Sequence, residues 1–201
     1  TQNLSEKEER EAVETITELI EYYKGIFTIL SSCAARQLEE VTFRRTTIPV
    51  QELFDAAGKY FRKVMKNRME KIELIMEPME AKVIGDVNQL RFLFENLIDE
   101  ALAVHEEGVI RLQARKDNEY VRFLFTDTRR EKSVTELNQL FYPNLARMTS
   151  GEKGELRGTE YLICKQIIRD HDEFAGRRGC RINAEPAEGG GFTVYFTIPR
   201  R

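Results

Sequence analysis

Three stretches in the last third of the chain decide its fold. They are Leu140-Phe141-Tyr142-Pro143, then Gly158-Thr159-Glu160-Tyr161-Leu162-Ile163-Cys164-Lys165-Gln166-Ile167-Ile168, then Gly189-Gly190-Gly191-Phe192-Thr193-Val194-Tyr195-Phe196-Thr197-Ile198-Pro199. In the second, a glycine precedes a run free of Gly and Pro, which predicts a helix over 159–170. Glu160 stands at its start, where the positive end of the helix dipole favours a carboxylate. In the third, three glycines form a hairpin turn. The β-branched and aromatic residues after them predict a strand over 192–198, with another over 180–184.

Helical and strand periods alternate through the middle of the chain as well. Leu53, Phe54, Ala57, Tyr60, Phe61 and Val64 share one face of a helix predicted over 51–67. Residues 71–76 alternate as a strand, and 81–84 form a shorter one. Asp86 is placed to cap a helix over 87–104. Ile110, Leu112 and Ala114 point away from Val109, Arg111 and Gln113 in a strand over 109–116. Asp117-Asn118 turns it into a second strand over 120–125, and a short helix is expected over 134–141. Thr46-Thr47-Ile48-Pro49-Val50 reads as an edge strand, because an interior strand has no place for proline. This order predicts an α/β protein: a two-layer sandwich of a mixed β-sheet with three helices on one face.

The first 45 residues have a different pattern. Ser5 and Glu8 form a capping box, after which Val13, Ile16, Ile20, Tyr23, Phe27, Leu30 and Ala34 recur in steps of three and four. Ala12, Leu19, Ile26 and Cys33 run beside them at heptad spacing. Such a helix is longer than a domain of roughly 150 residues can cover. It predicts a homodimer paired through this segment, with Gly25 a soft point costing about 1 kcal/mol relative to alanine. The expected organisation is a helical dimerisation segment over 1–45 and an α/β domain over 46–201.

Composition narrows the function. The 201 residues are 41% hydrophobic and 32% charged, as in a soluble protein with a real core. A formal net charge of −3 gives no case for nucleic acid or an anionic membrane surface as a partner. No apolar run reaches the roughly 18–20 residues of a membrane span, and no signal-peptide pattern opens the chain. The first residue is Thr1, so the chain is expected to be an excised, cytoplasmic part of a longer protein, with any membrane or sensor region upstream. Cys33, Cys164 and Cys180 are odd in number and lack CxxC spacing, which predicts buried thiols in a reducing compartment and no zinc site.

The motifs that carry chemistry are Gly85-Asp86-Val87-Asn88-Gln89-Leu90 leading into Asn96-Leu97-Ile98-Asp99-Glu100-Ala101-Leu102, the strand end at Asp127, and the glycine before the last long helix. In that order they resemble the ATP-binding domain of sensor histidine kinases, the GHKL superfamily, with a Bergerat-type fold. The resemblance implies a second helix of a dimerisation hairpin at the N-terminus. It implies that Asn96 is the first asparagine of the N-box and that Glu100 stands at the magnesium position, where a carboxylate is a competent ligand. It implies that Asp127 is the acceptor for the adenine amino group, and that Gly158 is the middle glycine of the lid. Asn96, Asp99 and Glu100 are expected on one side of their helix.

The departures from the family pattern bear on activity. Arg129 and Glu131 stand where the family's adenine box has glycines, and Leu156 and Glu160 where its lid has them. Glycine there gives positive φ and close backbone approach, which these residues do not. Arg129 is expected to fill the vacated space and pair with Asp127 or Glu100. Lys153 and Arg157 are the cations near enough in sequence to meet a phosphate. His105 and His171 are expected as charged groups at helix C-termini rather than phosphoacceptors. Three readings remain open: a dimeric signalling module with weak or lost ATP binding and no cofactor, an ATP- and magnesium-dependent histidine kinase with an atypical site, and a phosphotransferase- or anti-sigma-like protein-binding module. A response regulator is the partner the first two imply.

Overall fold

The computed structural model describes residues 12, 13, 15–17, 20, 43–142, 149, 150, 156, 157 and 159–201. The chain divides into two compact units, Thr1–Thr42 with Asn144–Thr159, and Phe43–Pro143 with Glu160–Arg201. The larger unit and the segments between its parts run, in chain order, β1 (Thr46–Pro49), α1 (Val50–Met65), β2 (Ile72–Glu77), β3 (Lys82–Gly85), α2 (Val87–Leu102), β4 (Gly108–Asp117), β5 (Tyr120–Asp127), α3 (Val134–Gln139), β6 (Thr149–Ser150), β7 (Leu156–Arg157), α4 (Glu160–Phe174), β8 (Ile182–Pro186) and β9 (Phe192–Pro199).

Five strands form the main sheet in the order β2-β4-β5-β9-β8. Only β2 and β4 run parallel, so the sheet is mixed. The strand predicted around Pro49 does not join it. β1 pairs with β3 as a separate antiparallel pair, and Pro49 ends that strand. Helices α1, α2 and α4 cover one face. The residues predicted to face inward on β4, namely Ile110, Leu112 and Ala114, are buried with Val121, Phe123 and Phe125 of β5 and Val194, Phe196 and Ile198 of β9. Between them and the helices lies an aromatic cluster. Phe123 and Phe196 are register partners whose rings stack at 5.0 Å, and Phe94 of α2 meets both, at 5.8 and 5.5 Å. Phe54 of α1 closes the group at 6.4 Å from Phe123.

Two elements begin as their sequences dictate. The Asp86 side chain accepts from the amides of Asn88 and Gln89 at 2.9 and 3.1 Å, which caps α2. Ser133 and Glu136 form a reciprocal capping box on α3. That helix stops at Gln139, before the predicted Phe141.

Both histidines differ from expectation. His105 lies beyond the C-cap of α2, Ala103, and its Nδ1 sits against the Glu70 carboxylate and Arg68 instead of the helix end. His171 is fully buried, and burial lowers its pKa. Its Nδ1 meets the Ile167 carbonyl at 2.8 Å while its Nε2 meets the Asp86 amide at 3.1 Å. An amide only donates, so Nε2 accepts and the ring is the neutral Nδ1–H tautomer. Its neutrality follows from burial, which penalises the charge that a cap would use.

In the smaller unit the described N-terminal residues are helical, and Thr17 Oγ1 donates to the Val13 carbonyl at 2.7 Å. Val13, Ile16 and Ile20 are 62%, 55% and 50% exposed. The rest of the predicted seam from Tyr23 to Ala34, the second stripe from Leu19 to Cys33, and Gly25 lie outside the described residues. β6 and β7 pair as a short antiparallel hairpin. Among the described residues no helix is long and apolar enough to cross a membrane.

Phe123 touches every other ring of the aromatic cluster. Phe123→Ala is expected to lower unfolding free energy by about 3–5 kcal/mol. Chemical denaturation of the two proteins measures this directly.

Candidate functional site

β5 runs two residues further than its sequence suggests and ends on Asp127 itself. The period of two that buries Val121, Phe123 and Phe125 therefore turns Asp127 to the helix side as well, where it is 1% exposed. A carboxylate without water must be paired, and two arginines pair it. Arg129 Nε and Nη2 donate to the two oxygens of Asp127 at 2.8 and 2.9 Å, a bidentate fork. Arg130 Nε adds a third bond to Oδ2 at 3.1 Å, and the Arg129 amide a fourth to Oδ1 at 3.1 Å. Of the two partners expected for Arg129, Asp127 is the one it takes.

The same guanidinium groups reach the end of α2. Arg129 Nη2 donates to the Ala101 carbonyl at 2.6 Å, and its Nη1 to the Glu106 carbonyl at 3.0 Å. Arg130 Nη2 reaches the Glu100 carbonyl at 3.3 Å. The last carbonyls of a helix lack intrahelical partners and carry the negative end of its dipole, so two cations there satisfy both needs. The Arg129 side chain is as buried as its partner, at 1% exposure. Gly108 makes room for it: a Cβ on Gly108 would lie 2.8 Å from Arg129 Cγ. Gly191, with φ of +81°, lets the β8–β9 turn approach so closely that a Cβ there would overlap the Asp127 carbonyl oxygen.

The N-box residues do not act as one group. Asn96 is buried and its Nδ2 donates to the Phe92 carbonyl at 2.7 Å, back into its own helix. Asp99 turns toward α1, where both its oxygens lie 2.9 Å from the Tyr60 hydroxyl. Desolvation raises the pKa of Asp99, and burial followed by the Asp99 hydrogen bond raises that of Tyr60. Successive helix residues are about 100° apart, so neighbours 99 and 100 cannot share a direction. Glu100 is half-buried. It is the second cause, after burial, of a Tyr161 hydroxyl pushed well above the usual tyrosine range.

Tyr161 is the site residue that sequence reasoning missed. It occupies the first turn of α4, is 4% exposed, and meets the Phe141 ring edge-on at 5.8 Å. Arg130 was missed too, although the Arg129-Arg130 doublet directly after a buried strand end was a legible signal. Glu160 opens α4 as expected. Gly158 and Lys153 lie outside the described residues, as does the side chain of Arg157. Cys164 and Cys180 are free, buried thiols whose pKa burial raises, that of Cys180 to about 12.

Residues 85–201 match the family described as histidine kinase-, DNA gyrase B-, and HSP90-like ATPase. The chain belongs to this family. No curated protein matches the sequence. Among solved structures, the mycobacterial sensor histidine kinase MprB aligns at TM-score 0.58 and 18% identity, covering 78% of this chain and 98% of that one. Histidine kinase ThkA, in complex with the response regulator protein TrrA, aligns at 0.60 and 19%, covering 94% of this chain and 52% of that one. Full-length ShkA, in complex with AMPPNP, aligns at 0.64 and 15%, covering 99% and 40%. At such identities the likeness is one of fold, and the fold of this GHKL domain is theirs.

Asp127→Asn keeps the shape of the carboxylate but leaves two arginines facing a neutral group. It is expected to destabilise by about 3–5 kcal/mol, and Asp127→Asn combined with Arg129→Met by less than the sum of the single changes. A double-mutant cycle in urea reads the coupling.

Proposed function

We propose that this chain is the C-terminal module of a two-component, sensor-histidine-kinase-like signalling protein whose nucleotide binding is weak or lost. The reading rests on one observation: the carboxylate that the family reserves for adenine is held here by Arg129 and Arg130. For an adenine amino group to reach Asp127, a buried guanidinium must leave a fork and the carbonyls of Ala101 and Glu106. The residues present therefore do not fit ATP in this arrangement. Asn96, bonded into its own helix, supports the same conclusion for a magnesium-bridged triphosphate.

Such a module acts through protein contacts. Its partners on this reading are a second copy of itself, joined through the helical segment over 1–45, and a response regulator. Val13, Ile16 and Ile20, each at least half exposed, support the self-pairing. The domain over 46–201 is then carried by the dimer in the cytoplasm.

Two measurements check this. Millimolar ATP with magnesium is expected to leave the melting temperature unchanged, whereas micromolar affinity would add about 4 kcal/mol at a thousandfold excess over Kd. A clear upward shift would instead favour an active kinase with Glu100 on the metal. The triple variant Arg129→Gly, Arg130→Asn, Glu131→Gly removes both guanidinium groups and restores both glycines, and a nucleotide-dependent shift is expected to appear in it. Light scattering at tens of micromolar is expected to give the mass of a dimer; a monomer would remove the self-pairing.

A further inference from the structure

The histidine buried between α4 and the N-cap of α2 has no part in the site just described, yet it sits where the chain enters the larger unit. Phe43 and Arg44 are the first residues of that unit. The Phe43 ring meets the His171 ring edge-on at 4.9 Å, and lies 5.8 Å from that of Phe174. The Arg44 amide donates to Asp86 Oδ2 at 2.9 Å. The other oxygen of that carboxylate, Oδ1, takes the capping amides of Asn88 and Gln89. One aspartate thus holds both the start of α2 and the segment leading into the domain, and His171 Nε2 accepts from the amide of that same aspartate.

We propose that His171 is a protonation-sensitive clasp, which releases the Phe43–Arg44 segment from the N-cap of α2 when its ring takes up a proton. The argument is one of donors and acceptors. A proton on Nε2 turns the acceptor of the Asp86 amide into a donor facing a donor. The charged groups that bear on the ring are Asp86, from the N-cap, and Asp170, from its own helix. The backbone of β3 brings only Gly85, packed so closely that a Cβ there would lie 2.8 Å from the ring, and Phe43 brings no charge. The imidazolium therefore finds its new acceptor in the Asp86 carboxylate. As that carboxylate turns to the ring it leaves the Arg44 amide, which holds it from outside the helix, and keeps the capping amides of Asn88 and Gln89.

The sign follows from the lowered pKa of His171. The folded ring stays neutral below the ordinary histidine value, where the unfolded ring is already charged. The clasp is closed above that value, and its stability is lost as pH falls from the ordinary histidine range through the folded pKa.

Nuclear magnetic resonance on the whole chain tests this. As pH falls from 8 to 5, the Arg44, Asn88 and Gln89 amide signals are expected to move with the His171 ring titration, at a midpoint below ordinary histidine. Amides of β5 in the sheet centre are expected to stay still. His171→Gln, which retains an acceptor without a titration, is expected to flatten the Arg44 response. An Arg44 amide that ignores pH, or responds equally in the glutamine variant, would overturn the proposal. Should that variant fold poorly, hydrogen exchange in the unaltered chain decides. Exchange at Arg44, corrected for intrinsic rate and referenced to Phe123, must quicken at least severalfold between pH 7.5 and 5.5, and equal protection at both would reject the clasp.

Discussion

A carboxylate cut off from water has to be answered by charge, and the geometry around Asp127 follows from that requirement. Its position is set by strand alternation, which turns residue 127 inward as surely as it does Phe125. Once inside, it draws Arg129 and Arg130 after it, and their remaining donors find the carbonyls at the end of α2. The end of β5 and the end of α2 are therefore joined by side chains of the protein itself. Gly108 and Gly191 show that the surrounding backbone is shaped to this join.

Much of this was legible in the sequence, for identifiable reasons. The inward residues of β4 follow a clean period of two, so Ile110, Leu112 and Ala114 were placed correctly by alternation alone. Asp86 was recognisable as a cap because a short acidic side chain stood before an apolar helical run. That Arg129 would turn inward to Asp127 or Glu100 followed from steric substitution, since a long cation in a glycine position must go somewhere; the structure gives Asp127. What failed was whatever depended on partners distant in sequence. His171 reads as a helix-end charge until Asp86, 85 residues away, is found against it. The strand around Pro49 was recognised as peripheral, but its partner is β3 and not the sheet. Asn96, Asp99 and Glu100 were grouped by spacing, whereas Tyr60 on another helix claims one of them.

The two halves of the site region thus have different characters. On the β5 side, every nitrogen of Arg129 is engaged and the carboxylate is saturated. On the α4 side, Tyr161 brings a hydroxyl into apolar surroundings beside Glu100, with Phe141 against its ring. Among the described residues, aromatic packing and ion pairing define what this region is.

The saturated carboxylate also bears on pharmacology. Compounds that imitate a purine base gain much of their selectivity from a single acceptor held ready for an exocyclic amine. In this protein both oxygens of the Asp127 carboxylate are already engaged by neighbours two and three residues along the same chain, which dilution does not remove. On the reading proposed above for Asp127, such a compound meets here an intramolecular competitor at a high effective concentration.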